Sequence, residues 1–161
     1  MISFKKHSGI YTLEAHQELK ITLGQAWKFF SSPKNLIKIT PPEMALIPKS
    51  AIPEKMYRGS FIKYTVKPIL GIPLTWVTEI SEIQEGYYFI DEQRLGPFKI
   101  WHHEHHFKVI DGGVEMRDEL WYALPFGFLG NLVNSLFVKR KIQRIFEYRR
   151  VKLIELFGNF S

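Results

Sequence analysis

The spacing of apolar side chains first changes between residues 21 and 23. In residues 9–21, β-branched, aromatic and aliphatic side chains come first and are followed by alternating charged and apolar residues. This pattern predicts a strand. From Leu23 to Phe30 the apolar residues follow helical spacing, and Thr22 with Gln25 forms a capping box that marks the helix start. Residues 35–39 allow a second helical turn before two prolines. Two short helices are therefore expected after the first strand.

The middle of the chain has a period of two, which is typical of half-buried strands. Glycine-containing turns separate the successive segments, and such short connections join antiparallel neighbours. The pattern predicts a meander of five strands at residues 61–66, 74–80, 87–93, 99–110 and 114–122.

Helical spacing returns after Pro125 and Gly127 and continues to about residue 156, which predicts one long C-terminal helix. Its apolar stripe changes side near Val138, so a kink or a change of packing partner is expected there. We expect the first half to line a cavity and the second half to pack on the sheet. The first stripe consists of Leu129, Leu132, Val133, Leu136 and Phe137; the opposite one includes Val138, Ile142, Ile145, Leu153 and Leu156.

Composition limits the class of protein. A chain of 161 residues with 45% apolar side chains is large enough for a sizeable core, and one domain spanning residues 1–161 is expected. The absence of cysteine excludes disulfides, thiolate metal ligands and a cysteine nucleophile. No apolar run approaches the roughly 18 residues of a spanning helix, so we expect a cytoplasmic protein.

The net charge of +6 is concentrated on the C-terminal helix. A basic helix face is usually a solvated face, and aromatic residues for stacking on bases are not interleaved with it. We therefore expect no nucleic-acid partner, and association with a membrane surface is a weaker alternative. The residues are Lys139, Arg140, Lys141, Arg144, Arg149, Arg150 and Lys152.

The segment IWHHEHHF, residues 100–107, holds four histidines and one glutamate. On a strand, the odd-numbered side chains from Trp101 to Phe107 face the core, and the even-numbered ones face outward. A two-residue loop after Ile110 would place Asp118 and Tyr122 of the next strand on the same inner face. The outer residues are expected to form a cross-strand network with Arg117 and Glu119, and no metal site is expected because strand spacing separates the ligands.

The inner pair, His103 and His105, must find hydrogen-bond partners if it is buried. A three-residue loop at residues 96–98 would bring Asp91 near His103 and Gln93 near Trp101. A carboxylate beside an imidazole raises its pKa and fixes its tautomer. The cluster could order the sheet, recognise a ligand or perform acid–base chemistry, with Asp91, His103 and His105 as the catalytic candidates.

The order of elements resembles the START-like helix-grip superfamily, also called SRPBCC. The segments SSPKNLIKITPP, DEQRLGPFKIWHHEHHF and YALPFGFLG are similar to those of a bacterial branch whose members are described mostly as ligand-binding or cyclase-like. The resemblance implies an α+β fold in which a curved antiparallel sheet, two short helices after the first strand and a long C-terminal helix enclose a cavity.

This resemblance implies a carrier or sensor that binds a small hydrophobic or amphipathic ligand, without a cofactor. The alternative is a cyclase or dehydratase in which a cavity histidine is the general base. Whether the protein is an enzyme, and its oligomeric state, are left open. The expected ligand-binding residues are Tyr64, Trp76, Asp91, Gln93, Trp101, His103, His105, Phe107, Asp118, Tyr122, Val133 and Phe137.

Overall fold

The structure is a computed structural model that describes residues 1–49, 51–67 and 71–160. Its elements follow the expected order, with one additional strand at the beginning and a two-residue strand after the short helices. They are β1 (Ile2–His7), β2 (Ile10–Leu19), α1 (Leu23–Phe30), α2 (Pro33–Leu36), β3 (Ile47–Pro48), β4 (Phe61–Val66), β5 (Leu74–Gln84), β6 (Tyr88–Leu95), β7 (Ile100–Ile110), β8 (Gly113–Ala123), α3 (Gly127–Val133) and α4 (Lys139–Phe157).

The strands of the described residues form one open antiparallel sheet in the order β1-β2-β8-β7-β6-β5-β4-β3. The connection from β2 to β4 contains α1, α2 and β3. The N-terminal hairpin joins the rest of the sheet where β2 pairs with β8. The sequence interpretation missed β1, whose polar, lysine-rich residues lack a clear alternation. Its turn to β2 is tight because Ser8 and Gly9 both have positive φ, at 49° and 82°.

The register of β7 with β8 confirms the two-residue loop. Ile110 pairs with Gly113, and His105 therefore lies opposite Asp118. On the other side of β7, Asp91 lies opposite His103, as the short loop between β6 and β7 predicted. These pairings place the inner histidines between two carboxylates on neighbouring strands.

The C-terminal helix begins with α3, passes through a π-helical turn at Asn134–Val138 and continues as α4. The π-helical turn lies where the sequence predicted a kink or a change of packing partner. Its buried side carries Asn134, Val138, Ile142, Phe146 and later residues that pack on the sheet.

The first half of this helix was expected to line a cavity, but its described apolar side chains face outward. Val133 and Phe137 are 42% and 63% exposed, and Leu129 also faces outward. The reason is that Asn134 and Val138, on the opposite side of the helix, are the residues that pack inward. The Leu136 side chain lies outside the described part of the structure.

The core consists of two apolar clusters on the same face of the sheet. One is built around Trp27, Phe89, Phe107 and Leu153, and the other around Leu13, Leu120, Tyr122 and Phe146. On β7, β8 and α4 the residues that separate the two clusters are polar. Within the described residues, no helix is long and apolar enough to cross a membrane.

Candidate functional site

A layer of five polar side chains, four of them buried and Asp91 half-buried, separates the two apolar clusters. We call it the polar layer: Asp91 from β6, His103 and His105 from β7, Asp118 from β8 and Arg149 from α4. The strand residues reach the same place because the sheet registers align them side by side. The sequence interpretation placed the first four of these residues together correctly.

Each carboxylate of the polar layer contacts both histidines. Asp118 Oδ1 lies 3.2 Å from His103 Nε2 and 2.7 Å from His105 Nδ1. Asp91 Oδ2 lies 3.0 Å from His105 Nε2 and 3.4 Å from His103 Nδ1. The two imidazole rings are 3.9 Å apart between centroids. All four ring nitrogens therefore lie within 3.4 Å of a carboxylate oxygen, although His105 Nδ1 is not aligned for a hydrogen bond.

Protonation of the polar layer follows from these contacts. Burial alone would raise the pKa of Asp91 and of Asp118, but hydrogen bonds from His103 and His105 outweigh it and hold both below the usual range. Burial alone would lower the pKa of His103, but its hydrogen bonds to Asp118 and Asp91 raise it overall. Two carboxylates and the Arg149 guanidinium leave one negative charge, which favours the protonated form of His103.

Arg149 is the member that the sequence interpretation missed, because it was assigned to the solvated basic face of the helix. The structure buries it to 8% exposure, and its Nη1 lies 3.9 Å from Asp118 Oδ1. Its Nε has no hydrogen-bond partner among the described residues. The available signal was spacing: Phe146, Arg149 and Leu153 share one helical stripe with Ile142.

One end of the polar layer opens into a cavity of about 80 Å³ between the sheet and the short helices. Asp91, His105 and Arg149 contribute polar groups to its wall, while His103 and Asp118 stand behind them. Most of the remaining wall is apolar and includes Phe30, Ile39, Met56, Ile62, Ile80 and Phe89. The sequence could not place this cavity, because it depends on how α1 and α2 pack against β4 and β5.

The other residues expected in the ligand site have different positions. Tyr64 lies in the cavity wall, and burial together with the charge of Asp91 raises its pKa. Trp76, Trp101 and Tyr122 are separate from the described cavity. Trp101 packs edge-on against Trp76 at 5.0 Å and is 6.5 Å from Tyr122 between ring centroids. These three aromatic residues stabilise the end of the sheet near the loop between β6 and β7.

Two further expected residues serve the fold. Gln93 donates a hydrogen bond from Nε2 to the Phe98 carbonyl at 2.7 Å and accepts one from the Phe98 amide, so its side chain braces the loop after β6. A side chain at Gly96 would clash with Gln93, which explains the glycine there. Phe107 is buried in the apolar cluster against Trp27 and Phe30. Val133 and Phe137 are exposed, as described above.

The outward-facing residues of β7 form a separate hydrogen-bonded network. His102 lies 2.9 Å from Glu92 and 3.0 Å from Glu104, and His106 lies 2.7 Å from Glu104. The sequence predicted a cross-strand network with Arg117 and Glu119, but those two residues pair with each other, and Glu92 of β6 is the partner from the neighbouring strand. These side chains are half-buried and do not reach the cavity.

A divalent cation would find its best ligands among Asp91, His103 and His105. Each residue offers one ligand atom, and these atoms lie within 4.8 Å of one another. His103 Nδ1 and His105 Nε2 already contact Asp91 Oδ2. A cation would therefore have to displace the protons that lie between these nitrogens and the carboxylate. The arrangement is complete as an ion-paired cluster, and we retain the prediction that no metal is needed.

Comparison of the sequence with models of known families and with curated proteins found no match. Solved structures are similar over nearly the whole chain. Ms6760 from Mycobacterium smegmatis has a TM-score of 0.64 at 16% identity, with 97% of this chain and 99% of that chain covered. A protein from Arthrobacter aurescens gives 0.69 at 11%, with 95% and 91% covered. Ara h 8.0201 gives 0.60 at 16%, with 91% and 99% covered.

These similarities establish the fold class. The protein has the α+β helix-grip fold, in which an open antiparallel sheet packs against two short helices and a C-terminal helix. At such low identity the likeness extends to the fold alone.

Proposed function

We propose that the protein binds a small hydrophobic or amphipathic molecule in the cavity beneath α1 and α2, as a carrier or a sensor. We further propose that it belongs to the bacterial ligand-binding branch of the START-like superfamily. The observation that carries the binding proposal is the cavity wall, which is mostly apolar and in which the charged or ionisable groups of Asp91, His105 and Arg149 meet at one place. A few convergent polar groups in an apolar wall are typical of small-molecule sites.

The polar layer supports the orientation of such a ligand. His105 and Asp91 are held by contacts on both sides, so they present fixed polar atoms without loss of side-chain entropy on binding. Arg149 adds a buried donor whose Nε is not used by the described residues. A ligand with an apolar body and a hydrogen-bond acceptor at one end would satisfy both parts of the wall.

The cavity also limits the ligand. Its volume of about 80 Å³ holds several waters or a short aliphatic or aromatic group. Pockets for drug-sized ligands have volumes of about 300–1,000 Å³. A larger ligand would therefore require side chains such as Met56 to move.

A second function is supported by His105. It lines the cavity with its Nε2 paired to the Asp91 carboxylate at 3.0 Å. To act as a general base on an acidic C–H of a bound molecule, in a cyclase or dehydratase, His105 would have to release one of its carboxylate contacts, because both of its ring nitrogens lie next to carboxylates. A rate profile without an ionisation in the range of imidazole would contradict this function and leave ligand binding intact.

Native mass spectrometry of the purified protein tests the binding proposal. We expect an apolar molecule of near-stoichiometric amount that is released on denaturation and identified after extraction. The Ile62→Trp variant fills the cavity and should lose this molecule. The matched control is Phe61→Trp, because Phe61 is 58% exposed on the other face of the same strand. A molecule retained equally in both folded variants would contradict binding in this cavity.

A further inference from the structure

The exposed apolar residues are concentrated where the C-terminal helix begins. Phe126 is 82% exposed, and Leu129, Leu132, Val133 and Phe137 follow it on the outward side of α3 and the π-helical turn. Monomeric soluble proteins seldom expose so many large apolar side chains together. Phe126 also has a φ of 68°, a conformation that is unfavourable for a bulky residue. The chain thus holds this ring outward at a conformational cost.

The same side of the helix becomes basic further along. Arg140 and Arg144 are exposed and continue the spacing of Val133 and Phe137. The buried residues Asn134, Val138 and Ile142 lie on the opposite side and fix this orientation. One exposed helix face therefore has an apolar first half and a basic second half.

The charge around this face is mainly positive. The helix begins at the end of the sheet where β8 finishes, and the paired residues Val66 and Leu74 and the loop from β6 to β7 lie at the same end. Residues 1–13, 71–78, 93–103 and 120–146 contain no aspartate or glutamate. The exposed Glu43 is an acidic residue near this end, because the neighbouring Met44 carbonyl accepts a hydrogen bond from the Lys67 amide. Lys67 and Lys99 are exposed there, and Ile72 and Leu95 add apolar side chains.

We propose that this end of the protein docks on an anionic membrane surface, with Phe126, Leu129 and Phe137 inserted among the lipids. Arg140, Lys141 and Arg144 then contact the lipid phosphates. Apolar insertion beside a mainly basic surface is the combination that interfacial helices use. The aliphatic residues Leu129, Leu132 and Val133 argue against nucleic acid, because they have no planar ring on which bases could stack. An acidic protein partner is the alternative that the test separates.

Cosedimentation of the intact chain with vesicles tests the proposal. The probes are phosphatidylcholine vesicles with and without phosphatidylglycerol. We expect binding only to the anionic vesicles, with salt reducing it. The combined variant Arg140→Ser, Lys141→Ser and Arg144→Ser should weaken binding on the order of a hundredfold. Each basic residue near an anionic surface contributes a similar share of the binding free energy, and the three losses add.

Apolar insertion has its own variant and controls. Phe126→Ser with Phe137→Ser should weaken anionic-vesicle binding at least tenfold, whereas Phe61→Ser at the opposite end should not. The charge-matched control replaces Lys20, Lys28 and Lys38, which lie away from this face, by serine and should retain binding. All variants alter exposed or half-buried side chains, and circular dichroism verifies their folding.

Two results would overturn the proposal. The first is that the wild-type chain stays in the supernatant with anionic vesicles, which leaves an acidic protein partner. The second is that the apolar and basic variants bind as tightly as their controls. Neither result bears on the cavity, whose ligand is measured separately.

Discussion

The substitution Asp118→Asn tests whether the polar layer is an ion-paired cluster. Asp118 is buried and contacts three groups: His103 Nε2 at 3.2 Å, His105 Nδ1 at 2.7 Å and Arg149 Nη1 at 3.9 Å. Asparagine has a similar volume but no charge, and its amide hydrogens would face groups that are themselves donors. The cation at Arg149 would lose its nearest carboxylate.

Removing one partner of a buried ion pair typically costs about 3–5 kcal/mol, because the remaining charge is left uncompensated. For a domain of this size each kcal/mol lowers Tm by about 2–4 °C, so the expected decrease is about 6–20 °C. The control is Glu119→Gln, the next residue on the same strand, which pairs with Arg117 on the outer face. That change should cost less than about 1 kcal/mol.

Urea unfolding followed by circular dichroism gives both free energies, provided that the m-values agree. Adding Arg149→Met to Asp118→Asn should restore part of the loss, since it removes the uncompensated cation. The reasoning would be refuted if Asp118→Asn destabilised the protein no more than Glu119→Gln does. It would also be refuted if the destabilisation of the double variant equalled the sum of the destabilisations of Asp118→Asn and Arg149→Met measured separately.

Three further predictions concern the same region. The stability advantage of the wild type over Asp118→Asn should be largest between about pH 4 and 6.5. It is lost at lower pH as the Asp118 carboxylate, whose pKa is lowered by folding, becomes protonated, and it is lost at higher pH as His103, whose pKa is raised by folding, loses its proton. Urea midpoints of both proteins across pH measure this advantage, and a difference that does not change with pH would contradict the prediction. Gly96→Ala should destabilise the loop braced by Gln93 by more than Gly24→Ala, whose added methyl meets open space, as thermal unfolding would show. Protein purified without chelators should contain no stoichiometric divalent metal by elemental analysis; a full equivalent that is lost in His105→Ala would contradict this.

The sequence was sufficient for the local parts of the site. Alternation along β7 and the short loops on both sides determined that Asp91 and Asp118 flank the histidines. These features depend on strand geometry and loop length, which are properties of neighbouring residues.

The rest depends on packing between distant segments. Periodicity shows which residues of a helix share a side, but not which side meets the sheet, so Val133 and Phe137 were assigned to the interior although the structure exposes them. Arg149 was assigned to the solvated face because a buried cation needs a carboxylate partner. That partner, Asp118, lies on a distant strand, and the sequence does not show that the two residues meet. The position of the cavity follows from α1 and α2 packing on β4 and β5, which no local pattern encodes.

Methyl NMR of isoleucine-labelled protein tests the central claim most directly. Ile39, Ile62 and Ile80 line the cavity, whereas Ile47 and Ile72 are exposed. On titration with hexanol or hexanoate, we predict saturable shifts of the three cavity methyl signals and unchanged signals from the two exposed ones. Shifts confined to Ile47 and Ile72, or no saturable shift at Ile39, Ile62 and Ile80 with either compound, would contradict ligand binding in this cavity.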